Sequence, residues 1–351
     1  MSRDLVTQPS ATSRLKLSVE RSTTASRIGA VVMAGVVVLL ALSPILFISS
    51  VVRTLTQFLY LLALAQMWNL LAGYAGLVSI GQQAYVGLGG YALLYLADTL
   101  GVNVFLAVLL AGLVSAALSI PTAALVFRLR GGYFAIGTWV VAEVYRQVVA
   151  NTSQLGGGSG ATITSAVRVD RTVRENVTHW IALAVGVGSV LIVHLILRSR
   201  LGLALRAARD REGAAATLGV DVFWTRFKVY VVASTVCGLT GAVIYLSLLR
   251  LQPGATFGIN WTAFMIFAVV IGGIGSITGP ILGTVVYFGL QEYLSDLGAV
   301  YLIILGAIAI VVMVRAPRGL WGLVVDRWGV TLFPERLRVR ADGGRPEERT
   351  R

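Results

Sequence analysis

The chain has 351 residues, of which 56% are hydrophobic and 13% charged, with a formal net charge of +13. Soluble domains carry roughly 25% charged residues, so charges this few and this clustered exclude an ordinary soluble domain and indicate an all-α polytopic membrane protein. The basic excess sits in tails and loops, where it sets membrane orientation, and no aromatic-basic interleaving marks a nucleic-acid surface.

A spanning helix needs about 20 mostly apolar residues. About ten spans are predicted, near 28–49, 55–72, 77–97, 103–127, 132–150, 178–197, 228–249, 260–274, 280–297 and 299–315. The polar, basic stretch 1–27 precedes the first, which exceeds a signal-peptide core of about 7–15 apolar residues and reads as a retained span. The third and eighth are glycine-rich and are expected to be broken or partly re-entrant. Residues 28–322 form the transmembrane domain. The charged remainder, 323–351, is expected to be a disordered tail.

GYAGLVSIGQQAYVGLGGY, from Gly73 to Tyr91, holds six glycines in an apolar region, includes Tyr74, and places the Gln82 and Gln83 amides at membrane depth. Glycine permits close helix approach and broken helices that line a cavity. The stretch therefore reads either as a broken helix beside a solute path or as tight packing with cross-bonded glutamines. Glu143 and Arg146 follow as i, i+3 neighbours on one helix. An arginine at the centre of a spanning helix costs roughly 2.5–3.5 kcal/mol on insertion scales, and this pair sits nearer one end. It reads as flanking a passage for a zwitterionic solute, or as a structural pair with the arginine snorkelling outward. Asn151–Val177, with LGGGSGATIT and then Arg168, Asp170, Arg171, Arg174 and Glu175, is expected to be a small β-like lid or a plain connector.

Arg198–Lys228 is the one long polar stretch between apolar segments that is crowded with arginine. Leu201–Arg211 reads as a short helix, Gly213 loosens it, and Ala214–Leu218 gives another turn. Gly219 suits a left-handed helix end, and Asp221 can cap a helix beginning near Val222. Such a loop is a docking and coupling element, or a solvated segment that sets orientation. GGIGSITGPILG, Gly272–Gly283, reads as a tight turn with Pro280 starting the next helix. Glu292 and Asp296, four apart, read as a hydrated pair or a cation or proton site.

Twenty-three of the 29 basic residues fall in four regions: five in 1–27, two at Arg128 and Arg130, seven from Arg198 to Lys228 and nine from Arg315 onward. Ten spans put all four on one side, which the positive-inside rule makes the cytoplasm, with both termini. No G-x-x-x-x-G-K-[ST] occurs, and neither Lys16 nor Lys228 follows a glycine-rich loop, so ATP hydrolysis by a P-loop is excluded. Cys237 is the single cysteine, and His179 and His194 lie in or near one helix, a poor metal set. No cofactor is expected, and no nucleophile and base make an enzyme.

The blocks Gly73–Tyr91, Leu129–Arg146, SRLGLALRAARDREGAAATLGVDV, Gly272–Gly283 and the closing RAPRGLWGL occur in this order over about residues 55–322. Together they resemble the permease subunits of ABC importers for branched-chain amino acids, in particular the LivM-type subunit. The resemblance implies a pore subunit of the bacterial inner membrane, paired with a second homologous permease and two cytoplasmic ABC ATPase subunits. An extracytoplasmic binding protein would supply solute. The Arg198–Lys228 loop resembles the ATPase-coupling loop: Ala214, Ala215 and Gly219 fit A-A-x-x-x-G, with Gly213 before them and the acid one earlier, at Glu212. Leu205, Arg206 and Arg209 complete the implied contact, and Tyr74, Gln82, Gln83, Glu143 and Arg146 are the path candidates. Relatives commonly carry histidine and a small residue at the positions of Gln82 and Gln83. Related permeases for urea and short amides share most of the pattern, so these are the alternative solutes. A stand-alone secondary transporter or channel is the other alternative, with Glu143, Glu292 and Asp296 as its ionisable groups.

Overall fold

The computed structural model describes residues 17–20, 24–294, 300–316, 318–328 and 338–341. In chain order these form β1 (Leu17–Glu20), α1 (Thr24–Leu46), α2 (Ser49–Asn69), α3 (Gln83–Leu94), α4 (Val104–Val126), α5 (Gly132–Ala150), β2 (Ala161–Thr162) and α6 (Thr164–Val167). Then come α7 (Arg171–Arg198), α8 (Arg200–Asp210), α9 (Glu212–Thr217), α10 (Val222–Leu248), β3 (Arg250–Leu251), α11 (Pro253–Thr256) and α12 (Asn260–Gly272). The last are α13 (Thr278–Leu294), α14 (Val300–Arg315), α15 (Gly319–Trp328) and β4 (Arg338–Ala341). The strands make two small antiparallel pairs, β1 with β4 and β2 with β3.

The centre of the bundle is α2, continued by a wide π-turn at Leu70–Tyr74. Every residue from Leu59 to Ala75 is buried, as expected of a helix apolar all round. Around it, α7 packs along α2, α10 packs against α3 and α4, and α12 packs against α13. Glycine sets the closest of these approaches. A Cβ on Gly89 would lie 1.9 Å from the Gly238 carbonyl oxygen, and one on Gly241 would lie 2.1 Å from that of Val86. The α3 and α10 backbones therefore touch, in the small-residue packing that serves where apolar burial does not distinguish lipid from protein. Beside this seam, the Tyr85 hydroxyl donates to that of Tyr230 at 3.0 Å.

Helix α1 is peripheral, with Val31, Val38 and Ile45 exposed. Buried His179 of α7 fastens it, with one ring nitrogen 2.9 Å from Thr56 Oγ1 and the other 2.9 Å from both Ser43 Oγ and the Leu40 carbonyl.

Each of the ten segments expected from sequence falls on a helix, but helices and spans are not the same count. Among the described residues, five helices are long and apolar enough to cross a membrane: Ser49–Tyr74, Val104–Val126, Arg171–Arg198, Val222–Leu248 and Pro253–Gly272. A sixth candidate is Ile303–Arg315 with Gly319–Arg327, bent by 41°. The physical reason is breakage. No helix runs through 75–82, so the third segment is helical only from Gln83 to Thr99, with a π-turn over its last residues, and the turn at 273–277 delays α13 to Thr278. The third segment is then at the short end of the roughly 17–25 residues of a spanning helix. The helical body also extends past 322, because α15 runs to Trp328. Asp296 and the side chain of Glu292 lie outside the described residues.

Candidate functional site

The arginine-rich loop folds as its punctuation predicts at Gly219 and Asp221, but the break between its two helices comes at Arg211, and Gly213 lies inside α9. α8 buries Leu205 and Ala208 completely and ends at Arg211, whose backbone is extended at φ −151°. α9 follows at once and buries Ala215. Gly219 takes φ +82°, a left-handed conformation that costs a residue with Cβ, and Val220 N–H closes the helix end on the Ala215 carbonyl at 3.0 Å. Asp221 Oδ1 then accepts from Trp224 N–H at 3.0 Å and starts α10, which satisfies one of the free N–H groups at the helix start.

Two arginines tie this loop to the bundle. Arg226, on α10, donates to Glu212 Oε2 at 3.0 Å and to the Ala208 carbonyl at 3.4 Å, clasping α8 and α9 together. Arg209 reaches further. Its Nη1 donates to the Gly73 carbonyl in the π-turn after α2. Its stem covers Gly76, where a Cβ would lie 3.1 Å from Arg209 Cγ, and its Nη1 lies 3.5 Å from the Cβ position of Gly275. One side chain of the loop thus meets both helix breaks.

The breaks are neighbours and share a pattern. Gly76–Ile80 reads G-L-V-S-I and Gly273–Ile277 reads G-I-G-S-I, each opening on a glycine with positive φ. Ser79 Oγ accepts from Gly81 N–H at 3.2 Å, and Ser276 Oγ accepts from Gly279 N–H at 3.0 Å. Side chains of α2 cover the second break. Asn69 donates to the Ser276 carbonyl at 2.9 Å and accepts from Gly275 N–H at 2.8 Å, and Gln66 donates to the Ile277 carbonyl at 2.8 Å. Trp68 Nε1 donates to the Ser79 carbonyl at 2.9 Å and holds the first. Irregular backbone at membrane depth needs such partners within the protein.

Of the expected path residues, Tyr74, Gln82 and Gln83 are buried together at the first break. Gln83 N–H donates to Thr262 Oγ1 at 3.3 Å, and the Thr262 hydroxyl donates to Gln83 Oε1. Gln82 Nε2 donates to Ser79 Oγ at 3.4 Å, while its Oε1, like that of Gln66, is buried without a partner among the described residues. Glu143 and Arg146 stand apart. Arg146 Nε donates to both Glu143 carboxylate oxygens at 2.9 Å on an exposed part of α5. In the loop, Arg206 is partly buried and Ala214 is exposed. Sequence reasoning missed Gln66 and Asn69, although two amides at i, i+3 in an apolar helix are a signal of an internal polar task. Among the described residues, no three His, Cys, Asp or Glu side chains come together.

A family model described as branched-chain amino acid transport system / permease component matches residues 50–313. The Salmonella typhimurium high-affinity branched-chain amino acid transport system permease protein LivM is 26% identical over 295 residues, covering 77% of this chain and 69% of that protein. Its Escherichia coli namesake is 25% identical with the same coverage. A probable branched-chain amino acid transport permease protein LivM of Methanocaldococcus jannaschii is 26% identical over 186 residues, covering 52% of this chain and 53% of that protein. No solved structure matches.

Proposed function

This chain belongs to the branched-chain amino acid transport permease family, and from that premise we propose that it is a permease subunit of an ATP-driven ABC importer. It forms the translocation path for branched-chain amino acids together with a second homologous permease. Two cytoplasmic ATPase subunits supply the motion, and an extracytoplasmic binding protein supplies the solute. The five long helices and the shorter helices flanking the breaks make about ten membrane passes or partial passes, with both termini and α8–α9 in the cytoplasm, as the arginine distribution requires.

One observation carries this reading: Arg209 of the loop donates to Gly73 and lies beside Gly76 and Gly275. A push on α8–α9 as a rigid body is delivered to both helix breaks at once. The tyrosine and glutamines at the first break lie where such a movement would open or close a path.

Crosslinking tests the coupling role. Leu218, 82% exposed at the end of α9, is replaced by cysteine in the otherwise active complex. A crosslink to the ATPase that changes with nucleotide is the expected result. Its absence from a complex that still takes up leucine would sink the role. Uptake of urea in place of leucine would move the solute to the short amides. Ion-driven uptake by the purified chain alone would overturn the importer.

A further inference from the structure

Six basic residues lie outside the four cytoplasm-directed clusters, and three of them share one cavity. Arg53, Arg171 and Arg174 line a space of about 440 Å³ between the start of α2, the start of α7 and the end of α10. α7 runs away from this space into α8–α9, and α10 returns to it, so the cavity lies at the opposite end of the bundle from that loop. Its size falls within the roughly 300–1,000 Å³ of small-molecule sites.

The charges inside do not balance. Glu175 is the one carboxylate among the lining residues. Arg171 Nε donates to it at 2.8 Å, and Arg53 approaches the same oxygen at 3.9 Å. Arg174 donates to the Ala166 and Val169 carbonyls at 2.9 and 3.3 Å, which fix its position and leave its charge uncompensated. Two positive charges remain over. Two turns beyond Arg171, Thr178 is 3% exposed, and its hydroxyl has no partner among the described residues, where a buried hydroxyl is normally bonded. Tyr60, Leu246 and Leu249 supply apolar wall.

We propose that this cavity binds the carboxylate of a small acid with a short aliphatic body. Arg53, Arg171 and Arg174 receive the carboxylate, the Thr178 hydroxyl is the inner hydrogen-bonding group, and the aliphatic body rests on the leucines. Guanidinium forks match carboxylate geometry. The site stands whether or not the chain drives transport, because its test reads binding alone.

The test uses the full chain in phosphatidylcholine nanodiscs, with 4-methylpentanoate as the probe and leucinamide, which lacks the carboxylate, as the control. Arginine modification by phenylglyoxal, mapped by mass spectrometry, reports on the exposed Arg53 and Arg171. The expected result is that 4-methylpentanoate protects both and leucinamide neither. Removing one charge-assisted contact by Arg174→Gln should raise the Kd for protection about tenfold. Thr178→Val, which keeps the side-chain shape, should weaken it severalfold and carries the test if Arg174→Gln does not fold. Equal protection by leucinamide, or no protection by either compound, overturns the proposal. Protection by phosphatidylglycerol in the nanodisc but not by the acid also overturns it, and assigns the cavity to a lipid phosphate.

Discussion

The connection from α5 to α7 and the connection from α7 to α10 lie at opposite ends of the bundle and are held by different chemistry. The first is pinned through its backbone. β2 pairs with β3, Ile163 N–H donates to the Leu249 carbonyl at 2.9 Å, and Asp98 accepts from Thr164 N–H at 2.7 Å and Ser165 N–H at 2.8 Å. The second is held through long side chains, with Arg209 reaching Gly73 and Arg226 reaching Glu212 and Ala208. A backbone ladder fixes position to a fraction of an ångström. An arginine on a flexible stem keeps contact while the element that carries it shifts. The difference assigns rigidity to one end and transmission to the other, and variants at each end can break that assignment.

The largest effect is expected at the pinned end. Gly160 has φ +82° and ψ 178°, a region used almost only by glycine. A Cβ there would fall 2.1 Å from the Leu251 carbonyl oxygen. Gly160→Val combines backbone strain with overlap and should cost about 3 kcal/mol, read as a lowered Tm of the purified chain. A Tm unchanged by this substitution would mean that the connection is loose and the contrast false.

Next comes the transmitting end. Arg209→Met keeps a stem over Gly76 and removes the guanidinium. Uptake by the assembled importer should fall about tenfold, equivalent to about 1.4 kcal/mol in the barrier. The Tm should move less than for Gly160→Val, because the losses are one part-buried hydrogen bond to Gly73 and one exposed ion pair with Asp210. A variant that unfolds before it loses uptake would make Arg209 a structural clamp and nothing more.

This end was also the more legible in the sequence. Gly219 and Asp221 are local signals, so the end of α9 and the start of α10 could be placed from them, whereas the break between α8 and α9 falls at Arg211 and not at Gly213. The tight turn at Gly272–Gly283 was readable for the same reason. The partners were not readable. Nothing local says that Arg209 meets Gly73, or that Gln66 and Asn69 hold a turn some 200 residues away, because such pairing is a property of helix packing. The span count failed to translate into helix lengths for a related reason. The glycines of 77–97 point to a break, but neither they nor hydropathy show that buried partners leave 75–82 unwound and start the helix at Gln83. Glu143 and Arg146 could be paired from their spacing, whereas only the packing of α5 places them apart from the breaks.

A smaller effect is expected at Asp98. Partial burial opposes its charge, but donors from Ser165 and Thr164 outweigh this and hold its carboxyl below the ordinary value of 3.8. A lowered folded-state pKa stabilises the fold above the unfolded value and loses that contribution as pH falls through the folded value. Acidification below about pH 4 should therefore loosen the α6 region first, read by hydrogen exchange at Thr164 and Ser165. Asp98→Asn should cost about 1 kcal/mol at neutral pH, as a weakened cap does, and should flatten that acid dependence.

The smallest effect belongs to the clasp between α10 and α9. Arg226 and Glu212 bond at 3.0 Å with the glutamate side chain about half exposed, and exposed pairs contribute roughly 0.2–1 kcal/mol. Glu212→Gln should therefore leave the Tm within a degree or two. Its effect on uptake should still exceed its effect on stability, because Arg226 also holds the Ala208 carbonyl and would keep α8 while releasing α9. A double variant with Arg209→Met separates the two arginines. If the loop moves as one rigid body, losing either tie already slackens the push, and the combined loss of uptake is less than the product of the single losses. Independent, multiplying losses would mean that α8 and α9 act on the bundle separately, and the transmission assigned to the whole loop would shrink to α8 and Arg209.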